Sequence, residues 1–170
     1  MEGADALGLI GEIGIGIVGF AGVVAALRAP GGRMGPYAAM RIGVLLGMSG
    51  TVVLLALLPF ALHFAGLSVG TIWAASSSAT VMMIVMNFLV LRRAGMAALP
   101  AEEEDRAPGM KFVVVAYVAT LTGTIALQLA NAAFLRQLWP FYVGLLALTT
   151  YSLFAFAYVL FAPSRVEVQS

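Results

Sequence analysis

The chain has 170 residues, of which 62% are hydrophobic and 10% are charged, and its formal net charge is +1. Because a soluble domain carries about a quarter charged residues, this composition indicates an integral membrane protein without a separate soluble domain. The sequence has no cysteine and one histidine, His63. These counts exclude disulfides, thiolate metal sites and metal sites built from several histidines of one chain.

Five apolar segments are long enough to cross a bilayer, since a helical crossing needs about 20 apolar residues. We therefore predict an all-α integral membrane protein whose single transmembrane domain covers residues 1–170. Its start, MEGADA, is acidic, whereas a secretory signal peptide has a basic start, so the first segment is expected to be a retained helix. The predicted helices occupy residues 6–27, 42–64, 69–91, 112–135 and 138–161.

The connections between these helices alternate between long polar loops and tight turns. Residues 28–41 and 92–111 form the long loops, whereas residues 65–68 and 136–137 are short enough to close two helical hairpins. Lys and Arg concentrate in cytoplasmic loops, and eight of the nine lie in the long loops or the C-terminal tail, with Arg136 as the exception. This asymmetry predicts an outside N-terminus and a cytoplasmic C-terminus, as a multi-pass protein of the bacterial cytoplasmic (inner) membrane.

Helix 1 is rich in glycine and carries a carboxylate, Glu12. On a helical wheel, Glu12 lies at the edge of a stripe of glycines. The stripe contains Gly8, Gly11, Gly19 and Gly22. Small residues let another helix approach closely, which predicts a packing face; alternatively, the stripe opens space around Glu12 for an ion, water or a ligand. An ionisable residue inside a span points to function by default, and a structural role is the alternative.

Helix 4 carries a polar stripe along an otherwise apolar sequence. Its members recur at three- and four-residue spacing: Tyr117, Thr120, Thr124, Gln128 and Asn131. Because lipid would leave the amides unpaired, the stripe must face protein or water. Two interpretations remain open, namely interhelical hydrogen bonding and a pathway for an ion or polar solute.

Counting along the helices places several polar side chains in the outer half of the bilayer, beneath Arg136. They are Glu12, His63, Gln128 and Asn131. We predict that they form an outward-facing polar vestibule, continued along helix 4 by Thr124 and Thr120. For His63, an ordinary position at the membrane interface is the alternative.

Two stretches, IGEIGIGIVGFAGVVAALR and LLPFALHFAGLSVGTIW, carry a resemblance. They resemble a set of uncharacterised small bacterial multi-spanning membrane proteins. Members of this set tend to begin with an acidic residue in a span, followed by a GFAG-like stretch and a basic residue. The resemblance extends over most of the chain but implies no activity, so the function has to be argued from the residues.

The first functional hypothesis is a small homo-oligomeric channel or transporter. Helix 1 of several copies would meet around an axis, and Glu12 would form the acidic ring that cation pores use. The second hypothesis is a non-conducting accessory or assembly subunit of a membrane complex, with the glycine stripe as a docking groove.

An intramembrane enzyme would need a nucleophile with its base, a metal cluster or a cofactor site. His63 has no serine or carboxylate partner at a fixed spacing. We therefore predict no enzymatic activity, cofactor, metal or nucleic-acid partner. The expected partners are the lipid bilayer and further copies of the chain, with a small ion or polar solute.

Overall fold

The computed structural model describes residues 3–28, 36–98 and 108–161. They form α1 (Ala4–Arg28), α2 (Pro36–Phe64), α3 (Val69–Ala98), α4 (Pro108–Ala130) and α5 (Leu138–Phe161), and a π-helical turn, Asn131–Leu135, continues α4. All five helices are long and apolar enough to span a membrane, and the described residues contain no strand. The predicted all-helical class and the five helices of spanning length and apolarity are thereby confirmed.

Three helices extend further into the predicted loops than their apolar segments indicate. Helix α2 begins at Pro36, α3 continues to Ala98, and α4 begins at Pro108. Proline is favoured at the first position of a helix, and the added segments are rich in Ala, Met and Arg, which are good helix formers. The loop centres, residues 29–35 and 99–107, lie outside the described residues, as do the chain termini.

The four helices α2 to α5 form a ring in which each helix packs against the next and α5 closes on α2. The α2–α3 and α4–α5 hairpins have their turns at the same end of the bundle, so neighbouring helices in this ring are antiparallel. Helix α1 lies outside the ring, packed against α2 and α5. We call the end of the bundle that holds the two short turns the hairpin end; the start of α1 lies there as well.

Large apolar side chains fill the interior of the ring. Leu55, Ile72, Phe141 and Leu145 are almost completely buried, and the ring centroids of Trp73 and Phe141 are 5.9 Å apart. Because lipid tails are as apolar as these side chains, their close packing and the hydrogen bonds between helices hold such a bundle together in a membrane.

The turn between α2 and α3 has the geometry of a Schellman motif. Gly66 adopts a left-handed conformation with a φ angle of 78°. Its N–H donates to the His63 carbonyl oxygen (3.0 Å), and the Leu67 N–H donates to that of Leu62 (3.3 Å). These bonds satisfy carbonyl groups at the end of α2 and reverse the chain, which explains the short hairpin turn.

Helices α1 and α2 approach closely at Gly14, which is buried. A Cβ atom at this position would lie 2.8 Å from Cγ2 of Val53, which is closer than van der Waals contact allows. One turn earlier, a Cβ at Gly11 would lie 3.6 Å from the Cβ of Ala56, an ordinary contact. Gly14 therefore marks the tightest point of the α1–α2 contact.

We expect Gly14→Ala to destabilise the protein by about 1–3 kcal/mol, because the added methyl group forces α1 away from α2. Gly43→Ala on α2 is the matched control, since Gly43 is exposed and a Cβ there meets nothing within 4 Å. Denaturant titration of the two variants in detergent measures the difference. Equal stability of both variants would contradict the close contact.

Candidate functional site

Glu12 is exposed on the peripheral surface of the bundle. The opposite side of α1, with Leu7, Ile10, Ile17 and Ala21, is buried and faces α2 and α5, the helices on which α1 packs. The carboxylate therefore points away from its own chain, toward the region that lipid or another protein occupies in a membrane.

Glu12 also lies near the middle of the apolar length of the bundle. Its neighbours Gly11 and Gly14 lie opposite Ala56 and Val53 of α2, and Val53 is the central residue of the apolar span of that helix. At 1.5 Å per residue, Glu12 is within about 5 Å of this centre. The carboxylate therefore lies close to this centre, slightly to the side of the hairpin end.

The contacts between α1 and α5 support the same depth. A Cβ at Gly3 would meet the side chain of Leu138, and the ring centroids of Phe20 and Phe156 are 6.3 Å apart. The two helices are therefore parallel and in contact over this length. Glu12 lies about midway between the two contacts, about 13 Å from the level of Leu138.

The glycines of α1 divide between two faces of the helix. Gly11 contacts α2, whereas a Cβ at Gly8, Gly19 or Gly22 would meet nothing within 4 Å. Gly16 is open in the same way. We call the exposed surface of Gly8, Glu12, Gly16, Gly19 and Gly22 the outward strip. Of the predicted packing glycines, only Gly11 packs within the described chain, and the closest contact is at Gly14, which is not in the predicted stripe.

Asn131 is completely buried where α3, α4 and α5 meet at the hairpin end. Its Nδ2 donates to Ser77 Oγ (2.7 Å) and to the Gln137 carbonyl oxygen (3.0 Å), and its Oδ1 accepts from the Gln137 N–H (2.9 Å). The backbone carbonyl oxygen of Asn131 accepts from the backbone N–H of Arg136 (2.9 Å). Arg136 has a left-handed φ angle of 52°. One side chain therefore stabilises the α4–α5 turn and attaches it to α3.

Gln128 joins α4 to α5 one turn away from Asn131. Its Nε2 donates to the Pro140 carbonyl oxygen (2.6 Å), and its Oε1 is buried without a hydrogen-bond partner. A Cβ at Gly144 would collide with the Gln128 amide, so this glycine makes room for the side chain. No sequence pattern points to Gly144 or Pro140, since Gly144 contributes only space and Pro140 contributes a backbone carbonyl.

The remaining predicted site residues lie in different environments. Thr124 is buried and Thr120 is exposed, while the side chain of Tyr117 lies outside the described residues. His63 is exposed at the end of α2, about 12 Å from the level of Glu12 along that helix. Within the predicted stripe on helix 4, the residues nearer the hairpin end, Thr124, Gln128 and Asn131, are therefore the ones that point into the protein.

A second polar contact joins α2 to α3 on the other side of the bundle centre. Asn87 Nδ2 donates to Thr51 Oγ1 (2.9 Å), which donates to the Gly47 carbonyl oxygen (2.8 Å). A cavity of about 30 Å³ lies beside this pair, and Ile84 and Leu121 are among its other walls. This volume suits one or two water molecules and is too small for a hydrated ion.

The predicted vestibule residues are not at one level. Asn131 binds Gln137 at the hairpin end, about 15 Å from the level of Glu12. Gln128, held against Pro140 and Gly144, lies about 5–10 Å from that level. Both amides are also buried, whereas Glu12 is exposed on the far side of α1. The buried amides therefore join helices, and the carboxylate on the outward strip is the candidate functional group.

Comparison of the chain with protein-family models, with curated proteins and with solved structures found no match. The resemblance noted in the sequence therefore stays a prediction, and the function has to be argued from the geometry above.

We expect Asn131→Leu to destabilise the protein by about 1–3 kcal/mol, because it leaves the buried hydroxyl of Ser77 and the backbone groups of Gln137 without these partners. Thr122→Val is the control: Thr122 is exposed, and its hydroxyl donates within its own helix, to the Val118 carbonyl oxygen. Denaturant titration in detergent compares the two. A loss no larger for Asn131→Leu than for Thr122→Val would show that the junction contributes little.

Proposed function

We propose that the protein is a small homo-oligomeric membrane channel or transporter for cations, in which the outward strips of several copies face one another and Glu12 forms an acidic ring. The observation that carries this proposal is the position of Glu12, exposed on the bundle surface near the middle of its apolar length. The proposed orientation, from the distribution of Lys and Arg, has the hairpin end outside and the C-terminus in the cytoplasm of a bacterial inner membrane.

The first support is the free-energy cost of holding the charged Glu12 carboxylate near the centre of a bilayer. A charged side chain at the centre of a bilayer costs about 2.5–3.5 kcal/mol or more, and such residues almost always face other protein or a water-filled cavity. Glu12 does not face the interior of its own bundle. A neighbouring copy that provides a hydrated space beside Glu12 removes this cost.

The second support is the shape of the outward strip. Its four glycines leave the backbone of α1 bare, and bare helix surfaces are where membrane helices approach one another most closely. Exposed bulky side chains, among them Leu9, Ile13 and Phe20, lie along one side of the strip, and Ile15 and Val23 project between its glycines. The glycines between these side chains leave room for the side chains of a second helix.

The third support is the interior of the ring. Large side chains and interhelical hydrogen bonds occupy it, and the cavity beside Thr51 and Asn87 has a volume of about 30 Å³. Helix α1 packs on the outside of this ring, and Glu12 is exposed on its outer face. A pathway that uses this carboxylate therefore runs between copies and not through the ring of a single copy.

We expect Glu12→Gln to lower cation flux into liposomes by a factor on the order of ten or more, because the ring then no longer concentrates cations. Asp5→Asn is the control, since it removes an exposed carboxylate from the start of the same helix and leaves the middle unchanged. Flux is measured with ion-sensitive dyes after reconstitution of each purified protein. Equal flux through wild type and Glu12→Gln would contradict the proposal.

We expect Gly19→Leu to shift the protein toward smaller assemblies, because the added side chain keeps a second α1 away. Gly123→Leu on α4 is the matched control: both glycines are exposed, and a Cβ at either meets nothing within 4 Å. Light scattering of the detergent-solubilised proteins gives the mass of each assembly. A monomeric wild type, or an unchanged mass in Gly19→Leu, would exclude an interface at the outward strip.

A second candidate is a non-conducting accessory or assembly subunit of a membrane complex. It is favoured by the hydrogen bonds of Gln128, Asn131 and Asn87, which join helices and do not line a path. On this alternative the outward strip binds a different membrane protein. It predicts co-purification with that partner and no flux in liposomes that contain this chain alone.

A further inference from the structure

The surroundings of Glu12 restrict the kind of ion that it can bind. Glu12 is the only charged residue between Asp5 and Arg28, and its exposed neighbours on α1 include glycines and the aliphatic residues Leu9 and Ile15. None of these has a side-chain oxygen or nitrogen. Each copy therefore offers one carboxyl group and no further side-chain ligand on this part of the strip.

A metal cation and a proton place different demands on such a group. Calcium takes six to eight oxygen ligands, and magnesium needs near-octahedral coordination. In the part of one chain that the structure describes, no three His, Cys, Asp or Glu side chains come together, so a metal ion would be held only by Glu12 carboxylates of different copies. A proton, by contrast, needs one carboxylate oxygen, and its uptake also removes the charge that the apolar surroundings penalise.

We propose that the ion carried at Glu12 is a proton. The inference rests on the proposed function and names its substrate. A proton from water on one side forms an O–H bond with the Glu12 carboxylate, which gives the neutral acid. The same bond breaks when the proton passes to water on the other side, so the carboxylate is regenerated and no electrons are transferred.

Other titratable groups on the neighbouring elements lie away from Glu12. On α1 itself, Asp5 is two turns nearer the hairpin end. Among the side chains of α2 and α5 that the structure describes, the titratable ones are His63, Tyr142 and Tyr151; those of Tyr37, Arg41 and Tyr158 on the same helices lie outside the description. His63 lies at the end of α2, and Tyr142 and Tyr151 are on the inner helix α5, whereas Glu12 points outward. The proton-binding step is therefore assigned to Glu12 alone.

The test measures proton flux and metal-cation flux separately in phosphatidylcholine–phosphatidylglycerol liposomes that contain the full chain. A pH-sensitive dye reports protons, and separate dyes report sodium and potassium. The expected result is proton flux in wild type, a reduced flux in Glu12→Asp, which keeps a protonatable group, and background flux in Glu12→Gln. Asp5→Asn is expected to match wild type.

The other outcomes separate the two proposals. Sodium or potassium flux that depends on Glu12 overturns the proton inference and leaves the proposed channel intact. Proton flux that persists in Glu12→Gln overturns the assignment to this residue. The absence of flux for all three ions overturns the inference and the proposed function together.

Labelling with dicyclohexylcarbodiimide tests proton binding without a variant. This apolar reagent reacts with a protonated carboxyl group: the acid O–H adds across an N=C bond, with the proton on nitrogen, and the adduct rearranges to a stable acylurea. Mass spectrometry of the wild-type protein in liposomes is expected to find the adduct at Glu12, less of it at alkaline pH, and none at Asp5. No adduct at Glu12 at any pH overturns the inference.

Discussion

The lack of hydrogen-bond partners in lipid is the constraint on which the arrangement of these helices depends. Every polar group in the apolar length of the bundle must be satisfied by protein or by enclosed water. Asn131 meets this demand with bonds to Ser77 and to both backbone groups of Gln137, and Gln128 bonds to Pro140. These bonds fix α4 relative to α3 and α5, so they set the order and register of half of the ring.

Glu12 does not form such a bond within the described part of its own chain, and its position makes it the candidate functional residue. The amides of α4 are turned inward and donate to α3, α5 or the turn between α4 and α5, whereas the carboxylate of α1 is turned outward near the middle of the apolar length. Its neighbours on α1 offer no polar side chain that could stabilise the charge. Any further stabilisation has to come from a neighbouring molecule, which is why the proposed function lies between copies of the chain.

The glycines of α1 show why a helical wheel cannot assign roles by itself. The wheel groups Gly8, Gly11, Gly19 and Gly22 on one side, but the neighbours of that side depend on where α2 and α5 lie. Gly11 is at the edge of the contact with α2, and Gly14, which the wheel does not group with the others, is at its tightest point. The other three are left on the outward strip.

The sequence by itself determined the membrane class, the five spans and the inward direction of Gln128 and Asn131. These follow from apolar length, from short turns and from the cost of an unpaired amide, all of which are local properties. Only the tertiary structure decided the depth of Glu12, the partners of the amides and the division of the glycines. Those features depend on the register and rotation of packed helices, which are set by contacts between residues far apart in the chain, such as Gly14 with Val53 and Asn131 with Ser77.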